Sequence, residues 1–339
     1  MKILLHLTIA AALLAQAPPQ APDITIDAAT RNQVIDGACR VLVDGYVFLD
    51  VAKKMEQHVR DRQQKKAYDS ISTARQFAET LTADLREVSH DKHLRVIYSP
   101  AATQQGPVPE EERLTQMRRN NYGFEKVERL AGNIGYLDLR GFLRADLMGD
   151  TAAAAMSFLT NTDALIIDLR KNGGGDPAAV ALLSSYLYGP GEIVHLNDLY
   201  WRASNETQKW FTLANVPGKR YPKKDVYILT SHFTFSAAEE FTYNLKNLKR
   251  ATIVGETTGG GAHPGGTRRV HPNFMVNVPS GRAINPISKT NWEGTGVEPD
   301  VKVSEERALK TAHLLALEKR LPASSSLVQE LKKELAAAN

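Results

Sequence analysis

Residues 164–177 read Ala-Leu-Ile-Ile-Asp-Leu-Arg-Lys-Asn-Gly-Gly-Gly-Asp-Pro, an apolar run followed by three glycines and a proline. A nearly continuous apolar run is typical of a strand that is buried on both faces of a parallel sheet. Proline is favoured in the first turn of a helix, so a helix is predicted from Pro177 to Tyr188. The glycines between them allow backbone angles that are closed to other residues. This strand, turn and helix predict an α/β core.

Strands and helices alternate along the chain on both sides of this unit. The apolar patterns predict strands at residues 94–98, 134–139, 226–229 and 252–254, and helices at 152–159 and 236–248. Residues 193–215 and 267–284 are typical of hairpins, the second with its turn at 279–281, and the polar segment 101–121 is interpreted as a connection. The α/β core is therefore assigned to residues 94–303.

A helical region precedes the core. Three apolar stripes with helical spacing occur in residues 24–93: Val34, Ala38, Val41 and Leu42; Val51, Met55 and Val59; Phe77, Leu81, Leu85 and Val88. Three helices with one apolar face each predict a small bundle that packs on another unit. Two further helices are predicted in the C-terminal segment, residues 304–339.

Composition limits the classes of function. The chain has 339 residues, of which 42% are hydrophobic and 24% charged, which is the balance of a globular protein. The net charge is only +4 and is spread along the chain, so no nucleic-acid partner is predicted. The single cysteine, Cys39, excludes an intrachain disulfide and a thiolate zinc site. No other cluster has zinc-site spacing, and neither metal nor cofactor is predicted.

The amino terminus has the pattern of a secretory signal. Met1-Lys2 is followed by a short apolar stretch that ends in small residues at Ala17. The stretch is too short for an ordinary transmembrane helix, and no cysteine follows it for a lipid anchor. Residues 1–17 are therefore predicted to be a signal peptide and 18–23 a linker. The mature protein is expected in the periplasm or outside the cell, without a membrane anchor.

Three loops carry residues suited to chemistry. The glycine run at 173–175 can direct amides towards an anion or a developing oxyanion. Ser236 opens a predicted helix; such a serine is usually an N-cap, but the same position presents a hydroxyl at the positive end of the helix. Residues 254–266 form a third, glycine-rich loop. The spacing excludes a phosphate-binding loop and a dinucleotide fingerprint.

Together these loops resemble the S41 peptidase family, the tail-specific and carboxyl-terminal processing proteases, over about residues 25–302. Asp168–Gly175 resembles the family's strand and oxyanion loop, Thr234–Glu239 its nucleophile turn, and Asn291–Asp300 its closing segment. The helical region is similar to the amino-terminal bundle of the repeats in interphotoreceptor retinoid-binding protein, a relative of these proteases. The resemblance implies a ClpP/crotonase-like spiral of βαβ units after a helical bundle.

The resemblance also implies roles for single residues. Ser236 matches the nucleophile, and the amides of Gly174 and Ala237 match the oxyanion pair. In family members with a Ser-Lys dyad a lysine occupies the position that is Gly261 here. A tricorn-like branch uses a histidine and a glutamate instead, and His93 and Glu293 match these.

Other residues could serve as the base that takes the proton from Ser236. His263 lies inside the glycine-rich loop and is the strongest rival to His93, and a displaced lysine, Lys92 or Lys289, is a further alternative. A histidine suits the task because its unperturbed pKa lies near neutral pH. Only 35 residues, 99–133, separate two predicted strands where the processing proteases carry a PDZ domain, so no PDZ domain is predicted.

The expected function is that of an exported serine endopeptidase that hydrolyses peptide bonds in flexible or unfolded polypeptide through an acyl-enzyme at Ser236. A non-catalytic protein that binds a retinoid or another lipid is the alternative. A crotonase-type acyl-CoA enzyme is disfavoured by the secretory signal, because coenzyme A chemistry is mostly intracellular. The sequence predicts no oligomeric state.

Overall fold

The structure of the protein, a computed structural model, describes residues 22–100 and 109–337. The predicted signal peptide at 1–17 lies outside these residues, as does most of the predicted linker. Within the two described ranges, no helix is both long enough and apolar enough to cross a membrane.

The helical region consists of three helices followed by a short strand: α1 (Ala28–Gly45), α2 (Leu49–Gln64), α3 (Ala74–Ser89) and β1 (Arg95–Tyr98). Asp27 caps α1 by accepting a hydrogen bond from the amide of Thr30 (2.8 Å). The predicted stripes form the buried faces of the helices, with Val34, Met55 and Leu81 fully enclosed. The predicted helical region is thereby confirmed.

The first part of the core alternates between strands and helices, in the order α4 (Glu110–Arg119), β2 (Phe124–Leu130), β3 (Ile134–Leu139), α5 (Ala145–Leu159), β4 (Ala164–Asp168) and α6 (Pro177–Ser185). The second part continues with β5 (His195–Trp201), β6 (Glu206–Phe211), β7 (Asp225–Thr230), α7 (Ala237–Asn247), β8 (Thr252–Gly255), β9 (Gly265–His271), β10 (Phe274–Pro279), β11 (Gly281–Ile284), β12 (Val301–Lys302), α8 (Glu305–Glu318) and α9 (Ser326–Ala337).

A six-stranded sheet forms the centre, with strand order β12–β8–β7–β4–β3–β2. All its strands are parallel except β2. Leu165 and Ile167 face a core shared with α5, α6 and α7, whereas Ala164 and Ile166 face a core shared with α8 and α9. The strand is buried on both faces, and the predicted α/β architecture after a helical region is confirmed.

Two smaller antiparallel sheets flank the centre. Strands β1, β10 and β9 form one and pack against the helical region, and strands β11, β5 and β6 form the other. The predicted turn at 279–281 is wrong, because β9 pairs with β10 across residues 272–273 while β11 pairs with β5. At 280–281 both amides bond to the carbonyl of Pro264, and the chain passes from one sheet to the other.

Residues 110–119 form α4, where the sequence was interpreted as a connection. Three glutamates lie in its first turn and two arginines in its last, an arrangement that complements the helix macrodipole. The charged run therefore stabilises a helix that has no fully buried residue.

Candidate active site

The carboxyl ends of β4 and β7 lie at the same edge of the central sheet, because the two strands are parallel neighbours. The glycine loop follows β4, and the turn that leads to Ser236 follows β7. Ser236 has φ 55° and ψ −123°, a strained backbone for a residue with a side chain. The first helical residue of α7 is Ala237, so the strained serine stands at the amino end of this helix.

Glu239 ties this turn to the glycine-rich loop. Its buried carboxylate accepts hydrogen bonds from the amides of Ser236 (2.9 Å), Gly260 (2.6 Å) and Gly261 (2.8 Å), and from the hydroxyl of Thr258 (2.5 Å). Burial raises the pKa of Glu239, and these donors oppose the increase. The Ser-x-x-Glu spacing signals a capping interaction at the sequence level, but not the bonds to a distant loop.

The glycine loop packs directly against the serine turn. A Cβ atom at Gly174, which has φ +107°, would lie 2.7 Å from the Cβ of Ser236 and 2.9 Å from the amide nitrogen of Ala237. The amide of Gly174 donates to Oδ1 of Asn172 (2.9 Å). In the described part of the chain, the amides of Gly175 and Ala237 have no hydrogen-bond acceptor. Of the predicted oxyanion pair, Ala237 therefore has a free amide and Gly174 an engaged one.

His93 lies in the loop between α3 and β1, and its ring packs on Phe235 with 4.6 Å between ring centroids. Its amide donates to Oδ1 of Asp91 (3.0 Å), and its carbonyl accepts a bond from the side chain of Asn277 (2.8 Å). The ring nitrogen Nδ1 is buried and has no hydrogen-bond partner among the described residues. Burial lowers the pKa of His93 to about 4, so the imidazole is neutral at pH 7.

Ser236 and His93 line the same small cavity, which has a volume of about 50 Å³. Gly175, Ala237 and Gly261 line it as well, so the structure brings the predicted nucleophile, base and free amides to one place. No hydrogen bond joins the hydroxyl of Ser236 to His93 in residues 22–100 and 109–337. Such bonds are often long before substrate binds. A larger open depression of about 620 Å³ lies beside Arg250 and Lys319, and neither Ser236 nor His93 lines it.

Glu293 lies against His263 rather than His93. Its Oε2 is 3.5 Å from Nδ1 of His263 and accepts a hydrogen bond from the amide of Ala262 (2.5 Å). Burial raises the pKa of Glu293 to about 7; the charge of Asp91 adds to the increase and His263 opposes it. The sequence predicts that Glu293 holds His93, but the structure shows no direct contact between them in the described ranges.

Asp91 connects the two histidines. This fully buried carboxylate accepts hydrogen bonds from Nδ1 of His263 (2.8 Å), from the hydroxyl of Tyr46 (3.1 Å) and from the amide of His93. Sequence reasoning missed Asp91, although its position two residues before His93 is a turn signal. Asp91, His263 and Glu293 offer ligand atoms within 4.8 Å of one another and form one of three groups in the described residues that could hold a cation.

The alternative bases lie outside the cavity. His263 packs its ring on Phe48, with 5.4 Å between centroids, and is engaged by Asp91. The ammonium group of Lys92 donates to the carbonyl of Gly259 (2.5 Å) in an exposed position, and Lys289 is exposed. None of the three is among the residues that line the cavity with Ser236.

Two family models match the chain. Residues 133–303 match the model of peptidase family S41, and residues 19–130 match the N-terminal domain of peptidase S41 in eukaryotic IRBP. A tail-specific protease of Haemophilus influenzae is 28% identical over 103 residues, which cover 29% of this chain and 13% of that protease. The match therefore spans only a small part of the length of this curated relative.

Solved structures share the fold. A protein from Parabacteroides merdae, provisionally described as a peptidase, superimposes with a TM-score of 0.61 at 18% identity, covering 86% of this chain and 99% of that one. A lipoprotein from Streptococcus agalactiae gives 0.56 at 17% identity, covering 91% and 100%. The tricorn protease gives 0.54 at 14% identity, covering 89% of this chain and 37% of that chain. At these identities the similarity establishes the fold alone.

Proposed function

Because the chain belongs to peptidase family S41, we propose that it is a serine endopeptidase that cleaves flexible polypeptide through an acyl-enzyme at Ser236. One observation carries the proposal: a strained serine at a helix amino terminus shares a cavity with a neutral, half-buried histidine. A serine hydroxyl needs an adjacent base at neutral pH. A neutral imidazole can accept the proton, whereas a charged one cannot.

In the proposed reaction, Oγ of Ser236 attacks the scissile carbonyl while His93 takes the hydroxyl proton. His93 returns this proton to the leaving amine as the C–N bond breaks, which leaves an ester on Ser236. Water then attacks the ester while His93 takes its proton; the bond between the acyl carbon and Oγ of Ser236 breaks, His93 returns the proton to Oγ, and the acid is released. No step needs a metal or another cofactor.

The oxyanion of each tetrahedral intermediate needs preorganised donors. The free amide of Ala237 supports its predicted role. The amide of Gly174 can take part only after it leaves Asn172, and the free amide of Gly175 is the neighbouring alternative in the same loop. In either case Gly174 fixes the approach of the glycine loop to Ser236.

Among the described residues, Glu293 is linked to His93 through His263 and Asp91. We therefore give Glu293 a positioning role, in which it holds the loop of His263 and, through Asp91, the backbone of His93. The predicted export to the periplasm or the cell exterior, and peptides or unfolded proteins as substrates, belong to this proposal.

The test is labelling by a fluorophosphonate probe, followed by mass spectrometry of the labelled peptide. The proposal is supported if the probe labels Ser236 in the wild type and the label is lost in Ser236→Ala. The control Ser157→Ala, on an exposed part of α5, should keep the label. Cleavage of an unfolded protein should also be lost in Ser236→Ala.

The match of residues 19–130 to the N-terminal domain of peptidase S41 in IRBP, the interphotoreceptor retinoid-binding protein, favours lipid binding as the second candidate. Saturable binding of a fluorescent fatty acid without any label would support that candidate and refute the peptidase.

A further inference from the structure

One acidic residue, Glu240, lines the cavity that contains Ser236. Glu240 lies in the first turns of α7 and is only 4% exposed. It faces the cavity, yet no described residue forms a hydrogen bond with its Oε1. The mechanism proposed above does not use this carboxyl group.

The surroundings of Glu240 offer it no cation. No salt bridge to it occurs within residues 22–100 and 109–337. Asn197 on β5 lies beside it and is fully buried, and neither of its amide atoms has a hydrogen-bond partner in the described chain. Burial raises the pKa of Glu240 to about 8; Asn197 opposes this increase and the charge of Asp176 adds to it. An unpaired buried carboxyl group is costly, so it calls for an explanation.

Apart from Ser236 and His93, the other side chains that line the cavity are apolar. Leu199, Ala283 and Trp292 contribute to it, together with Pro264 and Pro177. A cavity with aliphatic and aromatic walls and one acid suits a side chain that has an apolar stem and a cationic end. The cavity is narrow, about 50 Å³, so it suits one slender side chain rather than a bulky ligand.

We propose that this cavity receives a lysine or arginine side chain of the substrate, and that Glu240 is the counter-ion that selects it. The inference rests on the proposed function, because Ser236 lines the same cavity and the selected residue would carry the attacked carbonyl. An arriving cation stabilises the ionised form of Glu240 and supplies the partner that the protein lacks. In this arrangement Asn197 orients the carboxylate of Glu240.

The experiment uses peptidyl phosphonates that react with an active serine and differ only in the side chain next to phosphorus. The lysine-like and arginine-like probes should modify the wild type at least about 30-fold faster than the leucine-like or glutamine-like probes, the scale for a buried charge pair. Glu240→Gln should remove this preference once each probe's rate is divided by the rate of the generic fluorophosphonate on the same protein. The control Glu206→Gln, on the exposed strand β6, should keep the preference.

A second measurement needs no variant. Glu240 is ionised above its pKa, so the ratio of lysine-like to leucine-like modification rates should rise between pH 6 and pH 9. A faster leucine-like or glutamine-like probe, a preference that survives Glu240→Gln, or a ratio that is flat with pH would overturn the inference. Absence of generic labelling on Ser236 would instead refute the proposed peptidase, so the two failures are distinguishable.

Discussion

A Cβ atom at position 261 would lie 2.7 Å from Cε1 of His93, closer than real Cβ contacts allow. It would also lie 2.2 Å from Cζ of Phe235, whose ring packs on the imidazole. This is the position at which relatives with a Ser-Lys dyad carry their lysine. The imidazole of His93 fills space that a side chain at position 261 would need. The two arrangements of the base therefore exclude each other in this cavity.

Gly261→Ala should disable the site without unfolding the protein. The added methyl group has to displace either Phe235 or His93, and catalysis is sensitive to small errors of position. We expect fluorophosphonate labelling of Ser236 to slow by about 100-fold. The control is Gly266→Ala, which meets nothing within 4 Å and should label normally. Normal labelling of Gly261→Ala would show that the ring of His93 is not held in a required place.

The assignment of the base is tested by three alanine variants compared in kcat on one peptide. His93→Ala should lose activity by several orders of magnitude, because no other histidine and no lysine of the described residues lines the cavity with Ser236. His263→Ala should lose less, since His263 acts only through Asp91, and Lys92→Ala should have a minor effect. If Lys92→Ala had no activity while His93→Ala kept a nearly normal kcat, the histidine base would be refuted and a Ser-Lys dyad would be supported.

The rise of kcat/KM with pH should occur at a lower pH than the usual pKa range of histidine. The sequence predicts activity that rises around pH 6–7, whereas burial lowers the pKa of His93 to about 4. The neutral base exists above its pKa, so kcat/KM should rise through about pH 4 and persist above it. A single rise at pH 6–7 that remains in Glu293→Gln would contradict this environment of His93. A second step near pH 7 that disappears in Glu293→Gln would instead report Glu293, whose pKa is about 7.

Local patterns in the sequence were sufficient for the fold and for the turn of Ser236. Ala164 and Leu165 belong to a run so apolar that burial on both faces follows, and Ser236 opens a helix after a strand. The contacts of Glu293 could not be predicted, because they depend on how three loops far apart in sequence meet. The same limit applies to Gly174, whose amide is engaged by a side chain only two residues away in a turn that glycines leave undetermined.

The glycine loop should tolerate a side chain at one position and not at the next. Gly174 has φ +107°, and a Cβ there would meet the Cβ of Ser236 at 2.7 Å. Gly174→Val should therefore lower kcat by about 100-fold or more, the scale for a lost oxyanion donor. At Gly173 the nearest atom to an added Cβ is 4.0 Å away, so Gly173→Ala should keep its kcat. A folded and fully active Gly174→Val would remove the loop from the mechanism.

Glu240→Gln should make the protein more stable, by an amount that grows with pH. The pKa of Glu240 is raised from 4.5 to about 8 on folding, so the folded state holds a proton that the unfolded state has released. The free energy of unfolding of the wild type then decreases as pH rises from about 4.5 to about 8, by at most about 1.4 kcal/mol per pH unit, and is steady above. Glutamine has the same shape and no proton to lose, so the variant escapes this decrease. Urea denaturation of both proteins at pH 5, 7 and 8.5 measures the difference, and the exposed Glu206→Gln should show none. Parallel stability curves for Glu240→Gln and the wild type would mean that Glu240 is ionised and solvated in the folded protein.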